Sequence, residues 1–324
     1  MHEKAEKSPR IADYDSVGYD YETYWEGIEY EDIADKAALY SLLQKAKHKI
    51  TADTVYIDIG GSYGREVPIL QKYFKHVIVF DYSLQSLIKG KKQIDKNGNG
   101  NTVYWVAGNV YHLPFRDSSV QAGQMVRVMH HLKETSIAFS EIDRVISQFF
   151  VLEYANKLNA KHIVSWTLNG KLSLLMDPHP YQQQFRETSQ GSKGNNQIFL
   201  NFSPRYIAEK IEATHFKITR ALSVSNLRSP GLKKIFSPEF LAKVESVLQE
   251  PLASFNFGPS MYILLEKMQT KKTHRMESLE SILCCPKCRE TLVFDAEKMS
   301  CLACSLNFGI TDGVYDLRYS SETA

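Results

Sequence analysis

The stretch VYIDIGGSYGR at residues 55–65 decides the fold of this chain. Its first five residues predict a strand, and glycines follow at 60, 61 and 64. Glycine permits a tight turn and lets a ligand approach the backbone closely. A helical pattern comes next, so amides at a helix N-terminus would face that ligand. Asp81 ends the following predicted strand, where a carboxylate can accept hydrogen bonds from both hydroxyls of a ribose. This order predicts a nucleoside-binding βαβ unit.

Outward from this unit, short β-branched or aromatic runs alternate with helical stretches. The strands predicted from these runs lie at 55–59, 77–81, 103–107, 120–129, 149–153, 216–224 and 259–266. The helices are predicted at 31–48, 64–74, 83–93, 136–147 and 204–214. This alternation is typical of an α/β, Rossmann-like, doubly wound and mostly parallel sheet with helices on both faces.

Composition narrows the class of protein. The chain has 324 residues, 43% of them hydrophobic and 23% charged, which suits a globular protein of roughly two domains. The net charge of +2 lacks the basic excess of a dedicated nucleic-acid binder. The apolar runs are too short to span a bilayer, and the N-terminal residues lack the apolar core of a secretory signal. We therefore expect a cytoplasmic protein.

The acidic residue beside the glycine turn, Asp58, indicates which kind of nucleoside cofactor would bind. The spacing is D-x-G-x-x-x-G from Asp58, whereas a dinucleotide site favours G-x-G-x-x-G with a pyrophosphate at the helix. A carboxylate beside the turn would repel a pyrophosphate and would suit a ligand that carries an ammonium group.

Three further stretches extend this pattern. They are AGNVYHLPF at 107–115, VQAGQMVRVMHHL at 120–132 and RVISQFFVLE at 144–153. Together with the glycine turn, they resemble the class I S-adenosylmethionine-dependent methyltransferases, of the methyltransferase type 11-like kind. The resemblance covers roughly residues 20–267 and implies a sheet of seven strands.

The resemblance also assigns residues to the cofactor. Those placed around its amino-acid part are Asp58, Gly60, Gly61, Ser62, Gly64 and Arg127. Asp58 would act at the ammonium end. At the nucleoside end, Asp81 would hold the ribose, Tyr82 would lie against the adenine face, and Asn109 and Val110 would flank the adenine edge.

The chain departs from the family pattern at three positions. Ser62 replaces a glycine, Asn109 replaces an aspartate, and Gln121 replaces the aspartate of the fourth strand. Asn109 can still accept a hydrogen bond from an adenine amino group through its side-chain oxygen. The departures keep open an alternative, in which the chain is a non-catalytic module that binds S-adenosylmethionine.

All five cysteines lie between residues 284 and 304. Cys285, Cys288, Cys301 and Cys304 form two C-x₂-C pairs with twelve residues between them, a spacing that can close a tetrahedral zinc site. Four thiolates fill such a site, so we expect a structural Zn²⁺, with Cys284 as a buried neighbour. Residues 283–317 also resemble the small zinc ribbons that accompany some methyltransferases.

The domain organisation follows from these parts. We expect an N-terminal arm and helix at 1–48, a methyltransferase domain at 49–267, a polar linker at 268–281 and a zinc ribbon at 282–320. Since the linker is polar and carries no cofactor motif, the two folded parts are expected to be separable.

The expected activity is methyl transfer to a small-molecule or lipid-like acceptor. The predicted catalytic domain lacks the cysteine that cytosine C5 methylation needs, and His130-His131-Leu132 stands where nucleic-acid amino methyltransferases often have N/D-P-P-Y/F. His130 and His131 are expected to cap the fourth strand and pack under the helix rather than act as a base, and His179 is a candidate near the acceptor. A second alternative is an enzyme that modifies RNA or a translation factor and docks it through the ribbon and the basic residues at 271–275.

Overall fold

The computed structural model describes residues 27–95, 102–183, 198–269 and 276–319. The helices are α1 (Glu29–Ala46), α2 (Val67–Leu70), α3 (Leu84–Asp95), α4 (Thr135–Val145), α5 (Ala160–Leu168), α6 (Leu172–Met176), α7 (Pro204–Glu212), α8 (Pro230–Ile235), α9 (Pro238–Ala253) and α10 (Leu279–Ile282). None of these helices combines the length and the apolarity needed to cross a membrane.

The strands follow the predicted alternation as far as residue 155. They are β1 (Val55–Ile59), β2 (His76–Asp81), β3 (Thr102–Ala107), β4 (Val120–Met125), β5 (Ile146–Ala155), β6 (Tyr181–Gln182), β7 (Leu200–Asn201), β8 (Phe216–Val224), β9 (Ser260–Lys267), β10 (Val293–Asp295), β11 (Lys298–Cys301), β12 (Leu306–Thr311) and β13 (Val314–Asp316). The strands β1, β2, β4 and β5 are buried along most of their length because helices cover both faces of the sheet.

The main sheet is larger than predicted. It contains eleven strands in the order β10-β11-β12-β13-β3-β2-β1-β4-β5-β9-β8, with β1 to β5 parallel. The expectation of seven strands is wrong because β13 pairs in parallel with β3, Tyr315 opposite Val106 and Asp316 opposite Ala107. The cysteine-bearing segment therefore extends the sheet by four strands.

Both faces of the sheet are buried, each by a different set of helices. On one face α1 packs against α9, where the Tyr30 hydroxyl donates to Glu245 Oε2 at 2.7 Å. On the other face the core includes Ile142 of α4, Ile207 of α7 and Leu283 beyond α10. The C-terminal segment thus contributes to the same core as the central strands.

Several expectations concern residues outside the described ranges. The N-terminal arm before residue 27 and the basic residues at 271–275 lie there. Within the described part, the sequence analysis missed α5, α6, α8 and α9. It also overestimated the helix at 64–74, which is reduced to the single turn of α2.

Candidate functional site

The glycine turn joins β1 to α2 and is fastened to the end of β2. The backbone amides of Gly60 and Gly61 both donate to the carbonyl of Phe80, at 2.7 and 3.1 Å. Gly60 has φ of +79°, and a Cβ there would lie 2.0 Å from Val128 Cγ2. Only glycine fits this position. Because α2 is so short, the turn itself rather than a long helix presents its amides at this edge.

Asp81 organises the turn from the neighbouring strand. Its Oδ2 accepts from the Ser62 amide and its Oδ1 accepts from the Ser83 amide, each at 2.9 Å. An ionised carboxylate accepts about four hydrogen bonds, so these contacts are compatible with ribose hydroxyls on the same group. Asp81 therefore lies where the sequence predicted, at the carboxyl end of β2 beside the turn.

A pocket opens between the turn and the end of β4. Its lining residues are Asp58, Gly60, Gly61, Ser62, Tyr63, Arg65, Glu66, Val126 and Arg127. Five of the six residues predicted around the amino-acid part of the cofactor are among them. Gly64 is not in this lining and packs against Trp105 and Ile94.

Two buried carboxyl groups face this pocket. Burial raises the pKa of Asp58 to about 7, although Gln124 Nε2 donates to its Oδ1 at 2.8 Å. Burial also raises the pKa of Glu66, whose Oε1 contacts Arg65 at 2.5 Å. Glu66 Oε2 is buried and has no hydrogen-bond partner among the described residues. Since a buried carboxylate oxygen without a partner is costly, the pocket is suited to a cationic ligand group.

Two arginines complete the pocket. Arg127 has φ of +61° and donates through Nε and Nη2 to Asp35 of α1, at 2.9 and 3.2 Å. Its backbone amide donates to Glu153 Oε2 at 2.9 Å. Arg65 pairs with Asp32 Oδ1 at 2.6 Å. Helix α1 thus holds both guanidinium groups in place, and each guanidinium has five N–H donors. Carboxylates and arginines in one pocket match a zwitterionic amino acid.

The predicted adenine end lies one strand away, after β3. Tyr82 follows Asp81, and Val110 opens a short 3₁₀ turn that packs on the core. Asn109 is buried and fully engaged within the protein. Its Oδ1 accepts from the Tyr111 amide at 3.0 Å, and its Nδ2 donates to the Tyr319 carbonyl at 3.1 Å. The predicted bond from Asn109 to an adenine amino group would have to share Oδ1 with Tyr111.

The other two departures from the family pattern are Ser62 in the glycine turn and Gln121 in β4. Ser62 adopts φ of +48°, a conformation that costs about 1 kcal/mol outside glycine. The Gln121 side chain is buried and its Oε1 accepts from the Val55 amide at 2.8 Å, at the edge of the sheet opposite the pocket. Gln121 therefore stabilises the pairing of β1 with β4. Because it lies at the opposite edge, the change from aspartate to glutamine does not alter the pocket lining.

The histidine candidates differ in their surroundings. His130 and His131 are packed against Phe199, and burial lowers the pKa of both, to about 4 for His131. His131 Nδ1 lies 3.0 Å from the Ile198 carbonyl. Both rings are thus neutral packing groups near pH 7, as expected. His179 is 79% exposed and lies 2.8 Å from Asp177, outside the pocket lining.

The four predicted metal ligands come together in the C-terminal segment. The Sγ atoms of Cys285, Cys288, Cys301 and Cys304 all lie within 4.8 Å of one another. Three of the separations are 3.5, 3.4 and 3.7 Å. Zn–S bonds of about 2.3 Å at tetrahedral angles place sulfurs roughly 3.8 Å apart, so the cluster fits a Zn²⁺ ion. Cys284 is buried outside the cluster.

One segment of the chain matches a known protein family. Residues 57–148 match the methyltransferase domain family. This methyltransferase segment runs from β1 into β5 and contains the glycine turn, Asp81 and Arg127. Ubiquinone/menaquinone biosynthesis C-methyltransferase UbiE of Bartonella henselae is 32% identical over 84 residues, which make up 25% of this chain and 32% of that protein. The chain thus spans about a third of the length of this curated relative.

Three solved structures are similar to this chain at low sequence identity. YcgJ from Bacillus subtilis has a TM-score of 0.45 at 17% identity, covering 72% of this chain and 99% of that one. A SAM-dependent methyltransferase from Aquifex aeolicus has a TM-score of 0.45 at 12% identity, covering 80% and 100%. Geranyl diphosphate C-methyltransferase from Streptomyces coelicolor, in complex with S-adenosyl-L-homocysteine, has 0.46 at 13%, covering 71% and 76%.

Sequence reasoning missed part of the pocket. Arg65 is the last residue of the stretch quoted at the outset and Glu66 follows it, so their position beside the glycines was a usable signal. Asp35 gave no such signal, because its role depends on α1 packing beside the end of β4, a contact between residues 92 positions apart.

Proposed function

We propose that the protein binds S-adenosylmethionine and transfers its methyl group to a small-molecule or lipid-like acceptor. The observation that carries the proposal is the pocket at the glycine turn. It combines the buried carboxyl groups of Asp58 and Glu66 with the guanidinium groups of Arg65 and Arg127. This arrangement complements an ammonium group and a carboxylate on one ligand, and Asp81 lies beside it for a ribose. The methyltransferase segment contains all these residues.

Each residue has a defined task in this proposal. S-adenosylmethionine, when bound, supplies an electrophilic methyl group on a sulfonium. Asp58 and Glu66 hold the ammonium group, while Arg65 and Arg127 donate to the carboxylate. Asp81 accepts from the ribose and keeps the turn closed through Ser62 and Ser83. Alignment of the reacting atoms supplies much of the rate in such a transfer, so a dedicated base is not required.

The acceptor class rests on two observations. The UbiE relative is described as a C-methyltransferase of ubiquinone and menaquinone biosynthesis. In addition, α5 and α6 follow β5 at the carboxyl edge of the sheet, where ligands of open α/β sheets bind. These helices expose Leu168 (81%), Leu172 (53%) and Met176 (83%). Exposed apolar side chains often mark binding surfaces, which favours an apolar acceptor.

Calorimetric titration tests the cofactor assignment. We expect S-adenosylmethionine and S-adenosylhomocysteine to bind with one site per chain. NAD⁺ should show no heat at the same concentrations, because its pyrophosphate would meet the carboxyl groups of Asp58 and Glu66. Binding of NAD⁺ in preference to both sulfur compounds would contradict the proposal.

The raised pKa of Asp58 predicts a pH-dependent affinity. Burial of Asp58, with Glu66 and Asp81 acting in the same direction against Gln124 and Arg65, keeps its pKa at about 7 in the free protein. An ammonium group favours the ionised form, so ligand binding should release a proton when the pH lies below that value. Affinity for S-adenosylhomocysteine should therefore fall below pH 7 by up to about tenfold per pH unit.

The control for this prediction is Asp58→Asn, whose side chain has no charge to lose. Its affinity should be weaker and should change much less between pH 6 and pH 8 than that of the wild type, the change that remains coming from Glu66. Titrations at pH 6.5 in buffers of different ionisation enthalpy measure the released proton directly. A wild-type affinity that is the same at both ends of this range would refute the assigned contact.

We further propose that the cysteine cluster holds a structural Zn²⁺. The ion would lie in a ribbon formed by β10 to β13, which follows the linker in the predicted domain order. Four thiolates occupy every position of a tetrahedral site, which leaves none for a catalytic water. The ion would fix the two cysteine pairs relative to each other and so hold β11 and β12 at the edge of the sheet.

A further inference from the structure

The last described residues of the chain cross the carboxyl edge of the sheet. We name residues 316–319 the C-terminal strap. Because β13 runs parallel to β3, the strap leaves the sheet at the edge where β2 ends in Asp81. The Leu317 amide donates to the Ala107 carbonyl at 2.8 Å, and the Leu317 side chain is fully buried. The strap is therefore a built part of the sheet edge.

The strap contacts two of the three residues predicted at the adenine. The Arg318 guanidinium lies 5.9 Å from the centroid of the Tyr82 ring. Asp316 holds that guanidinium through two hydrogen bonds of 2.9 and 2.8 Å. The Tyr319 carbonyl accepts from Asn109 Nδ2 at 3.1 Å. One short segment thus reaches from the residue after β2 to the residues after β3.

The asparagine at position 109 suits this contact. The related family has an aspartate there, and a carboxylate has no proton to donate to the Tyr319 carbonyl. The amide of Asn109 both caps the 3₁₀ turn through Tyr111 and holds the strap. Asparagine at this position therefore joins the turn after β3 to the strap.

We infer that the C-terminal strap forms the adenine-side wall of the cofactor site, with Arg318 as a residue that sets affinity for the nucleoside. The inference rests on the proposed binding of S-adenosylmethionine. The strap acts as a wall and not as a displaceable plug, because its backbone is hydrogen-bonded to β3 and Leu317 is anchored in the core. Arg318 then orders the Tyr82 ring, and the strap shields that side of the nucleoside from water.

The test is calorimetric titration of Arg318→Ala with S-adenosylhomocysteine and, separately, with adenosine. The loss of the guanidinium should weaken both ligands by about threefold or more, by the same factor, since both carry the nucleoside. The matched control is Lys92→Ala. It removes an exposed ion pair of 2.8 Å between α3 and Asp312, which lies in the ribbon between β12 and β13 and outside the strap, and should bind both ligands like the wild type.

A second variant, Asn109→Asp, removes the donor to the strap and should weaken both ligands at least as much as Arg318→Ala. Melting temperatures check that each variant is folded; Arg318 is a partly exposed side chain and its loss should leave the fold intact. If the wild type binds both ligands normally and Arg318→Ala binds them as tightly or more tightly, the strap does not form the adenine-side wall. If the wild type itself fails to bind S-adenosylhomocysteine, the proposed function fails instead.

Discussion

Replacing Cys288 by serine is expected to release the bound metal and to unfold the strands that follow it. Its Sγ lies 3.4 Å from Cys301 and 3.7 Å from Cys304, so it contributes a central ligand to the cluster. A structural zinc contributes on the order of 10 kcal/mol to the folding of such a segment. We expect elemental analysis to fall from one zinc per chain to near zero, with a lower melting temperature.

The matched control is Cys284→Ser, the same change one position before the cluster. Cys284 is buried but does not belong to the group of close sulfurs. This variant should keep its zinc, although burial of a hydroxyl lowers stability modestly. Equal metal loss in both variants would show that the ligands have been assigned wrongly.

The cysteine-bearing segment shows what sequence patterns leave open. The C-x₂-C spacing predicted the cluster of cysteines, because ligand spacing is a local property. The polar linker suggested a separable ribbon, whereas β13 pairs with β3 and Phe115 bridges to Leu283. These pairings join residues about 170 to 210 positions apart, and sequence periodicity carries no information about such partners. Truncation near residue 267 would therefore uncover both the β3 edge and apolar core surface.

The central sheet was more predictable than its surroundings. The predicted strands at 55–59 and 216–224 coincide with β1 and β8, because continuous apolar or β-branched runs are a strong local signal. Helix α9 was missed, although Ser237 caps it and Pro238 occupies its first turn, both recognised start signals. The sequence did not indicate that acidic residues of α1 contact the pocket, because Asp35 and Arg127 come together only through tertiary packing.

Asp81→Ala is expected to weaken binding of S-adenosylhomocysteine by at least about tenfold. A hydrogen bond to a charged group is worth about 1.5–3 kcal/mol, and Asp81 is proposed to accept from two ribose hydroxyls. The same carboxylate accepts from the Ser62 and Ser83 amides at 2.9 Å, so its loss also loosens the glycine turn. Calorimetry measures the affinity, and melting curves separate ligand loss from misfolding.

Asp81→Asn separates the loss of the ribose contacts from the loosening of the glycine turn. The amide oxygen can still accept from one backbone amide, but the NH₂ group cannot replace the second acceptor and the charge is gone. Its affinity should lie between those of the wild type and Asp81→Ala. Asp95→Ala is the matched control, because Asp95 ends the helix that follows Asp81 and its side chain is 55% exposed. If Asp81→Ala binds as tightly as this control, the ribose lies elsewhere, and the nucleoside end of the proposed site would have to be abandoned.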